Sequence, residues 1–308
     1  MTNINRHLIA LFGATASGKT SIAVEIAKHY PVEVISADSR QIRKKMSIGT
    51  AAPTIDEMRA VKHHLIAIVE PNAPWTVEEW LRRAAIAAND IFSRNHIPLL
   101  LAGTGQYAWS FLDGLKIPSV PPDSEFRSDL EKIAELEGAN VLHEKLRQID
   151  NASADRIDYR NIRRVIRALE INHFTGRPVQ PLMKTPPDFS WNIIGLDWDR
   201  SDLYDRADRR AELMYEIGLI EETNNLIEEY GTEFEALKSI GYSQSKDYIK
   251  GLISKEKAIE LTQLDTHRLI RMQDTWFRKD NSVIKWVEGN NPKSVLSAIE
   301  HIVGKHVR

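Results

Sequence analysis

The stretch HLIALFGATASGKT, residues 7–20, decides the fold of this chain. HLIALFG (7–13) is a short apolar run of the kind that forms a buried strand, and SGKTSIAVEIAKHY (17–30) has the spacing of a helix. Between them GATASGKT (13–20) fits the pattern G-x-x-x-x-G-K-[ST] in its required context, strand before and helix after. Gly13 and Gly18 permit the tight turn, and the backbone N–H groups of Ala14, Thr15, Ala16, Ser17, Gly18, Lys19 and Thr20 can then converge on phosphate oxygens at a helix N-terminus. Lys19 adds a point charge for terminal phosphates, and Thr20 a hydroxyl for Mg²⁺. A polyphosphate site is therefore expected.

Working outward, EVISAD (33–38), HHLIAIV (63–69) and IPLLLAGTG (97–105) read as further strands. Thr76 and Glu79 form a capping-box signature ahead of a helix reaching about Ser93. Strand and helix in alternation imply an α/β fold: a P-loop NTPase-like parallel sheet flanked by helices. The alternation ends after Leu115 at the proline-rich KIPSVPPDSEF, helical sequence runs to about Thr175, and a second proline-rich stretch, TGRPVQPLMKTPPDF, follows. WNIIGLDWD (191–199) returns as a strand, with helices to nearly the end. The expected organisation is a catalytic core from residues 1–115 and 191–308 with a helical domain inserted at 116–190.

A motor or switch NTPase places an Asp at the end of an apolar strand to hold Mg²⁺. Here IPLLLAGTG ends in Gly103-Thr104-Gly105, and the acid stands instead in SADSRQ (36–41). Asp38 would face the crevice at the carboxyl ends of the strands, as a general base or substrate anchor, although an Asp before Ser39 also suits a helix cap. In NIRRVIRALEI (161–171), Ile162, Val165, Ile166 and Leu169 make one apolar face, from which Arg163, Arg164 and Arg167 project on the other side. His63-His64 lacks a third ligand at metal spacing and is read as strand-end histidines.

The ordered series GATASGKT, ISADSRQI, MSIGTAAPT, HHLI, AGTGQY, FLDGL, RRVIRALE, TGRP, LDWDR, LYDR, GLIEE, SIGYSQ and QDTWFRK resembles the tRNA dimethylallyltransferases over nearly the whole chain. The resemblance implies transfer of a dimethylallyl group from dimethylallyl pyrophosphate to the N6 amine of the adenosine beside the tRNA anticodon, in tRNAs reading codons that begin with U. It implies Asp38 as the base, with Lys19, Thr104 and Arg206 (in LYDR) as further catalytic groups, the loop 13–20 on the pyrophosphate, and Mg²⁺ on Thr20. It implies tRNA contacts at Asp38, Ser39, Arg40, Gln41, Thr104, Arg127, Arg163, Arg164, Arg167, Gly241, Tyr242, Arg271, Gln273 and Arg278, the insertion being a tRNA-binding domain. The chain departs from the family pattern at Ile42, Arg43, Lys44 and Lys45, where Val-Tyr-Arg-Gly is usual, and at Ala14, Ala52, Ala67, His267 and Met272. Rival readings are a nucleotide or small-molecule kinase, a prenyltransferase acting on free adenine nucleotide, and an RNA-binding protein with a degenerate loop.

Composition sets the outer bounds. At 308 residues, with 42% hydrophobic and 27% charged residues, the chain is neither disordered nor collagen-like. The absence of cysteine excludes disulfide scaffolds, thiol catalysis and cysteine-ligated zinc. No apolar run approaches bilayer length and no signal pattern opens the chain, so a cytoplasmic protein without a membrane partner, acting as a monomer, is expected. The formal charge of -2 argues against nucleic acid as a total, but it is unevenly placed. Residues 156–177 hold six arginines against Asp158 and Glu170, residues 266–285 hold five basic groups against two acids, and residues 212–235 hold eight glutamates and no Lys or Arg. Arg40, Arg43, Lys44 and Lys45 add a further basic run beside Asp38. Its distribution favours a polyanionic partner.

Overall fold

A computed structural model describes residues 6–306. In chain order the first elements are β1 (His7–Phe12), α1 (Lys19–Ala27), β2 (Val32–Ala37), α2 (Ile55–Ala60), β3 (His63–His64), α3 (Val77–Ser93), β4 (Ile97–Ala102) and α4 (Gly105–Leu112). There follow α5 (Ser124–Leu136), α6 (Ala139–Ile149), α7 (Asn151–Arg156) and α8 (Ile162–Thr175). The chain closes with β5 (Ser190–Asp197), α9 (Arg200–Glu216), α10 (Leu219–Tyr230), α11 (Tyr242–Ile249), α12 (Lys255–Trp276), β6 (Ile284–Glu288) and α13 (Pro292–His306). Two compact units result, residues 1–114 with 186–308, and residues 115–185.

In the first unit six parallel strands form one sheet in the order β3-β2-β4-β1-β5-β6. Every residue of β1, β2 and β4 is buried, because helices cover both faces of a parallel sheet. The two-residue period of a strand sorts β1 between the faces. Leu8, Ala10 and Phe12 pack with Trp80, Ile91 and Leu100 on one side, while Ile9 and Leu11 pack with Ile22, Ile26 and Ile299 on the other. The parallel sheet expected from the alternating pattern is present.

Three details differ from the sequence expectation. The apolar run at 63–69 contributes only two residues to the sheet, since Leu65 and Ala67 adopt φ of +64° and +50°. Such values are incompatible with a strand. Residues 67–69 instead donate to the carbonyls of Gln41 and Ile42, closing a loop around that segment. At the other edge β6 lies where helix was expected, with Ile284 opposite Ile193 and Glu288 opposite Asp197. Finally, Thr76 accepts the Glu79 N–H at 3.2 Å, but the Glu79 carboxylate turns to Arg82 and Arg83. Only half of the expected capping box forms.

The second unit has its own core of Leu130, Leu142, Leu146, Val165, Ile166 and Leu169. Its ends meet: Leu115 bridges Lys184, and the Lys116 N–H donates to Met183 O at 2.8 Å. Within it α8 buries Val165, Ile166 and Leu169 as its periodicity predicts. Arg163 and Arg164 are exposed, but Arg167 does not project freely. It bonds Glu170 and Val120 O, while Arg127 holds the same Glu170 at 2.8 and 2.7 Å. Burial pushes the Glu170 carboxyl up, and these donors outweigh it, so the group stays below the usual range.

Candidate active site

The loop between β1 and α1 is held from outside by donors. Gly18, at φ +87°, opens α1 without a side-chain cap, leaving the N–H groups of the first turn to a ligand. Lys19 Nζ folds back onto the carbonyls of Gly13 (2.8 Å) and Ala14 (2.9 Å). Arg206 Nε donates to Ala16 O at 2.9 Å and stacks over Trp198 at 4.5 Å, while Trp198 Nε1 donates to Ser17 O. Arg210 donates to Thr15 Oγ1, and the Thr15 N–H goes to Gln273 Oε1 at 2.8 Å.

Asp38 stands at the carboxyl end of β2. Its Oδ1 accepts the N–H groups of Arg40 (2.8 Å) and Gln41 (3.2 Å), so the backbone turn orients the carboxylate. Oδ2 lies 2.9 Å from where a Cβ on Gly103 would stand, so a larger residue there would displace the carboxylate. Thr104 Oγ1 accepts the Ser39 N–H at 3.1 Å and lies 3.3 Å from Ser39 Oγ, joining the ends of β2 and β4. Gln41 donates to the carbonyls of Thr50 and Ala51. That turn is fastened from behind by Glu222, whose carboxylate accepts N–H groups of Ser47, Ile48 and Gly49 and the Tyr242 hydroxyl.

One cavity of about 500 Å³ joins these parts, lined by Thr15 through Thr20, Asp38, Gln41, Arg206, Arg209, Arg210 and Gln273. Three arginines and a lysine line it against the carboxylates of Asp38 and Glu57. Burial, the largest effect, lowers Lys19 to about 8, with Asp38 opposing and Arg210 adding to the shift. Burial also lowers Arg210, again against Asp38 and with Arg206. Crowded, desolvated cations of this kind are relieved by a multivalent anion. Among the described residues no three His, Cys, Asp or Glu side chains converge as a metal cage. Thr20 does line the cavity, and its hydroxyl suits a hard cation that draws its other ligands from phosphate and water, as Mg²⁺ does.

Other sequence-predicted positions separate into two groups. Arg40, Arg163, Arg164, Arg271 and Arg278 are exposed, Arg271 reaching Tyr204 Oη at 3.0 Å and Arg278 pairing with Asp280. Arg127, Arg167, Tyr242 and Gln273 spend their side chains inside the protein. Gly241 is buried at φ +87° and places Tyr242 at the start of α11. The basic run beside Asp38 is similarly engaged: Lys44 pairs with Glu70, Lys45 with Glu229, and Arg43 donates to Glu70 O and Ala73 O. His63 lines the cavity with Nδ1 on Val61 O, and His64 bonds Glu33 at 2.7 Å. At the family departures, His267 stacks on Tyr204 at 3.9 Å and bonds Asp208, and Met272 is exposed.

Sequence reasoning missed Arg209 and Arg210. The signal was present in LYDRADRR, because Arg210 lies one helical turn beyond Arg206 and shares its face.

A family model described as IPP transferase matches residues 41–280, and one described as isopentenyl transferase matches residues 6–67. The chain is 43% identical over 281 residues to a tRNA dimethylallyltransferase of Chloroflexus aggregans, covering 91% of this chain and 95% of that one. It is 38% identical over 297 residues to the tRNA dimethylallyltransferase of Shouchella clausii, covering 96% and 95%. The crystal structure of a full-length tRNA isopentenylpyrophosphate transferase from Bacillus halodurans superposes with a TM-score of 0.72 at 34% identity, over 98% of this chain and 97% of that one.

Proposed function

This chain belongs to the IPP transferase family, and from that premise we propose that it prenylates tRNA. The donor is dimethylallyl pyrophosphate, and the acceptor is the N6 amine of the adenosine 3′ to the anticodon in tRNAs reading codons that begin with U. The observation that carries this reading is the cavity in which Lys19, Arg206 and Arg210 face Asp38.

The adenosine N6 attacks the allylic carbon, a C–N bond forms as the C–O bond breaks, and the electron pair departs on pyrophosphate. The N6 proton passes to Asp38, whose Oδ1 is already oriented by two backbone N–H groups. An exocyclic amine is a weak base, and losing its proton during attack avoids a cationic product. Negative charge grows on the leaving group, where Lys19, Arg206, Arg210 and the first-turn N–H groups of α1 receive it, the Thr15 and Ser17 N–H groups being spent on Gln273 and on Ala14 O. Thr20 would hold Mg²⁺, which would add charge neutralisation on the leaving group. Asp38 and the phosphate loop line the same cavity, which brings base and leaving-group donors to one substrate pair.

Contacts to RNA fall to the exposed Arg40, Arg163, Arg164, Arg271 and Arg278, since the remaining candidate arginines are committed to Glu170. Among the described residues no helix is long and apolar enough to cross a membrane. The reading assigns a monomer working in the cytoplasm, which light scattering and fractionation check. The deciding experiment incubates the protein with Mg²⁺ and labelled dimethylallyl pyrophosphate, offering tRNA and AMP side by side. Isopentenyladenosine in digested tRNA is expected; label in AMP, or phosphoryl transfer from ATP without prenylation, overturns the proposal.

A further inference from the structure

Gln273 sits near the end of α12, whose outer surface carries Arg271 and leads to Arg278. Its own side chain points the other way and is only 7% exposed. The amide oxygen accepts the Thr15 N–H at 2.8 Å, and the amide nitrogen donates to Gly103 O at 2.7 Å. Thr15 belongs to the phosphate loop, and Gly103 packs against the Asp38 carboxylate. A single buried amide thus spans the leaving-group side and the base side of the cavity.

The pairing is chemically specific. A backbone N–H can only donate and a carbonyl can only accept, so one end of the side chain must be an acceptor and the other a donor. Gln meets both demands at this reach. The same helix end is fixed to the neighbouring segment a second time, since Trp109 Nε1 donates to Trp276 O at 3.0 Å and Trp276 packs where Gly105 leaves room for no Cβ. We propose that Gln273 is a positioning residue: it sets the separation between the phosphate loop and Asp38, and it does not contact RNA. The inference rests on the transferase reading above. Attack requires the amine, the allylic carbon and the leaving oxygen in line within a near-attack distance, and misplacement by about 1 Å costs on the order of 10²-fold.

The test compares wild type, Gln273→Leu and Gln273→Glu, with thermal melts to confirm folding. Gln273→Leu should lower kcat about 10- to 100-fold, while the Kd for dimethylallyl pyrophosphate and the Kd for tRNA each stay within about threefold of wild type. Gln273→Glu keeps the acceptor for Thr15 but, ionised, sets a carboxylate against the Gly103 carbonyl. Protonation restores an O–H donor there. Lys19, Arg206, Arg209 and Arg210 line the same cavity and favour the ionised form, while burial, Asp38 and the Gly103 carbonyl disfavour it; its kcat relative to wild type at the same pH should rise as the pH falls, whereas the Gln273→Leu ratio stays flat. Because glutamate is nearly isosteric, this variant keeps the test decisive if the leucine variant does not fold. A kcat within about twofold of wild type in Gln273→Leu, or a Gln273→Glu ratio that ignores pH, overturns the inference. Loss of tRNA affinity with kcat intact overturns it too and makes Gln273 an RNA contact. Wild-type protein that prenylates no tRNA defeats the transferase reading and this inference with it; active wild type with indifferent variants defeats the inference alone.

Discussion

Lys19 and Asp38 face each other across the cavity, and each makes a separable prediction. In the free protein Lys19 loses its proton as the pH rises through about 8, because burial disfavours its charge. A bound pyrophosphate ester restores that charge, so donor affinity should hold constant up to about pH 8 and then fall toward tenfold per pH unit. Calorimetric titration of dimethylallyl pyrophosphate checks this, and Lys19→Met should remove the break. The same shift has a stability sign. A base whose folded-state pKa is depressed sheds its proton first in the folded state, so stability rises with pH between about 8 and the ordinary lysine range, and the buried charge is a constant cost below it. Lys19→Met should therefore raise the melting temperature at neutral pH while weakening donor binding. For Asp38→Asn, kcat should drop roughly 10²–10⁴-fold with tRNA affinity retained, as expected of a general base. Lost affinity with normal turnover would make Asp38 an anchor.

At the scale of elements, α8 divides its arginines between two jobs. Arg163 and Arg164 are exposed, whereas Arg167 joins Arg127 on the buried Glu170. Neutralising Arg163 and Arg164 should reduce the slope of log affinity against log salt by roughly 0.7–0.9 for each charge, with the fold unaffected. Arg127→Ala leaves the Glu170 carboxylate with Arg167 and the Asp123 N–H alone, and since Arg127 is partly solvated the loss should be about 1–3 kcal/mol in a urea melt. An Arg127→Ala variant of normal stability and weakened tRNA binding would reverse these assignments. The periodicity of α8 was legible in the sequence, but the partner of Arg167 three residues later was not, because Glu170 looked like a solvated counter-charge. The strands show the same limit. β1, β2, β4 and β5 announce themselves as apolar runs because both of their faces are covered. β6 buries only Ile284 and leaves its other residues partly or fully exposed at a sheet edge, and only pairing with β5 makes it a strand. HHLIAIV failed for the opposite reason: it is apolar enough, but two residues with positive φ turn it back onto Gln41 and Ile42. In the cavity the loop and Asp38 stood out through motif context. Arg210 and Gln273 owe their places to helices far along the chain, and no local pattern announces such contacts.

Over the whole molecule the acidic stretch 212–235 is more than a counterweight to basic surfaces. Glu222 fastens the 47–49 turn beside the cavity and Glu229 neutralises Lys45, so much of the positive run beside Asp38 is spent internally. Of the candidate RNA contacts, Arg163 and Arg164 in one unit and Arg40 and Arg271 in the other are exposed, and Arg278 is exposed but pairs with Asp280. The architecture allows this division to be tested directly. Residues 115–185 have their own apolar core, and Leu115 is joined to Lys184 by a β-bridge, so the two ends of that unit lie side by side. Closing the gap with a short flexible linker asks little of the remaining sheet, whose strands and phosphate loop all lie outside the excised segment. The shortened protein should keep a cooperative melt and bind dimethylallyl pyrophosphate with wild-type affinity, measured by calorimetry. Its tRNA affinity should fall and its salt slope flatten by the share that Arg163 and Arg164 carry, roughly 1.4–1.8 in the logarithmic plot. If the slope is unchanged, the RNA is held by the sheet unit alone; if donor binding is lost, the sheet depends on the excised residues in a way its separate core does not suggest.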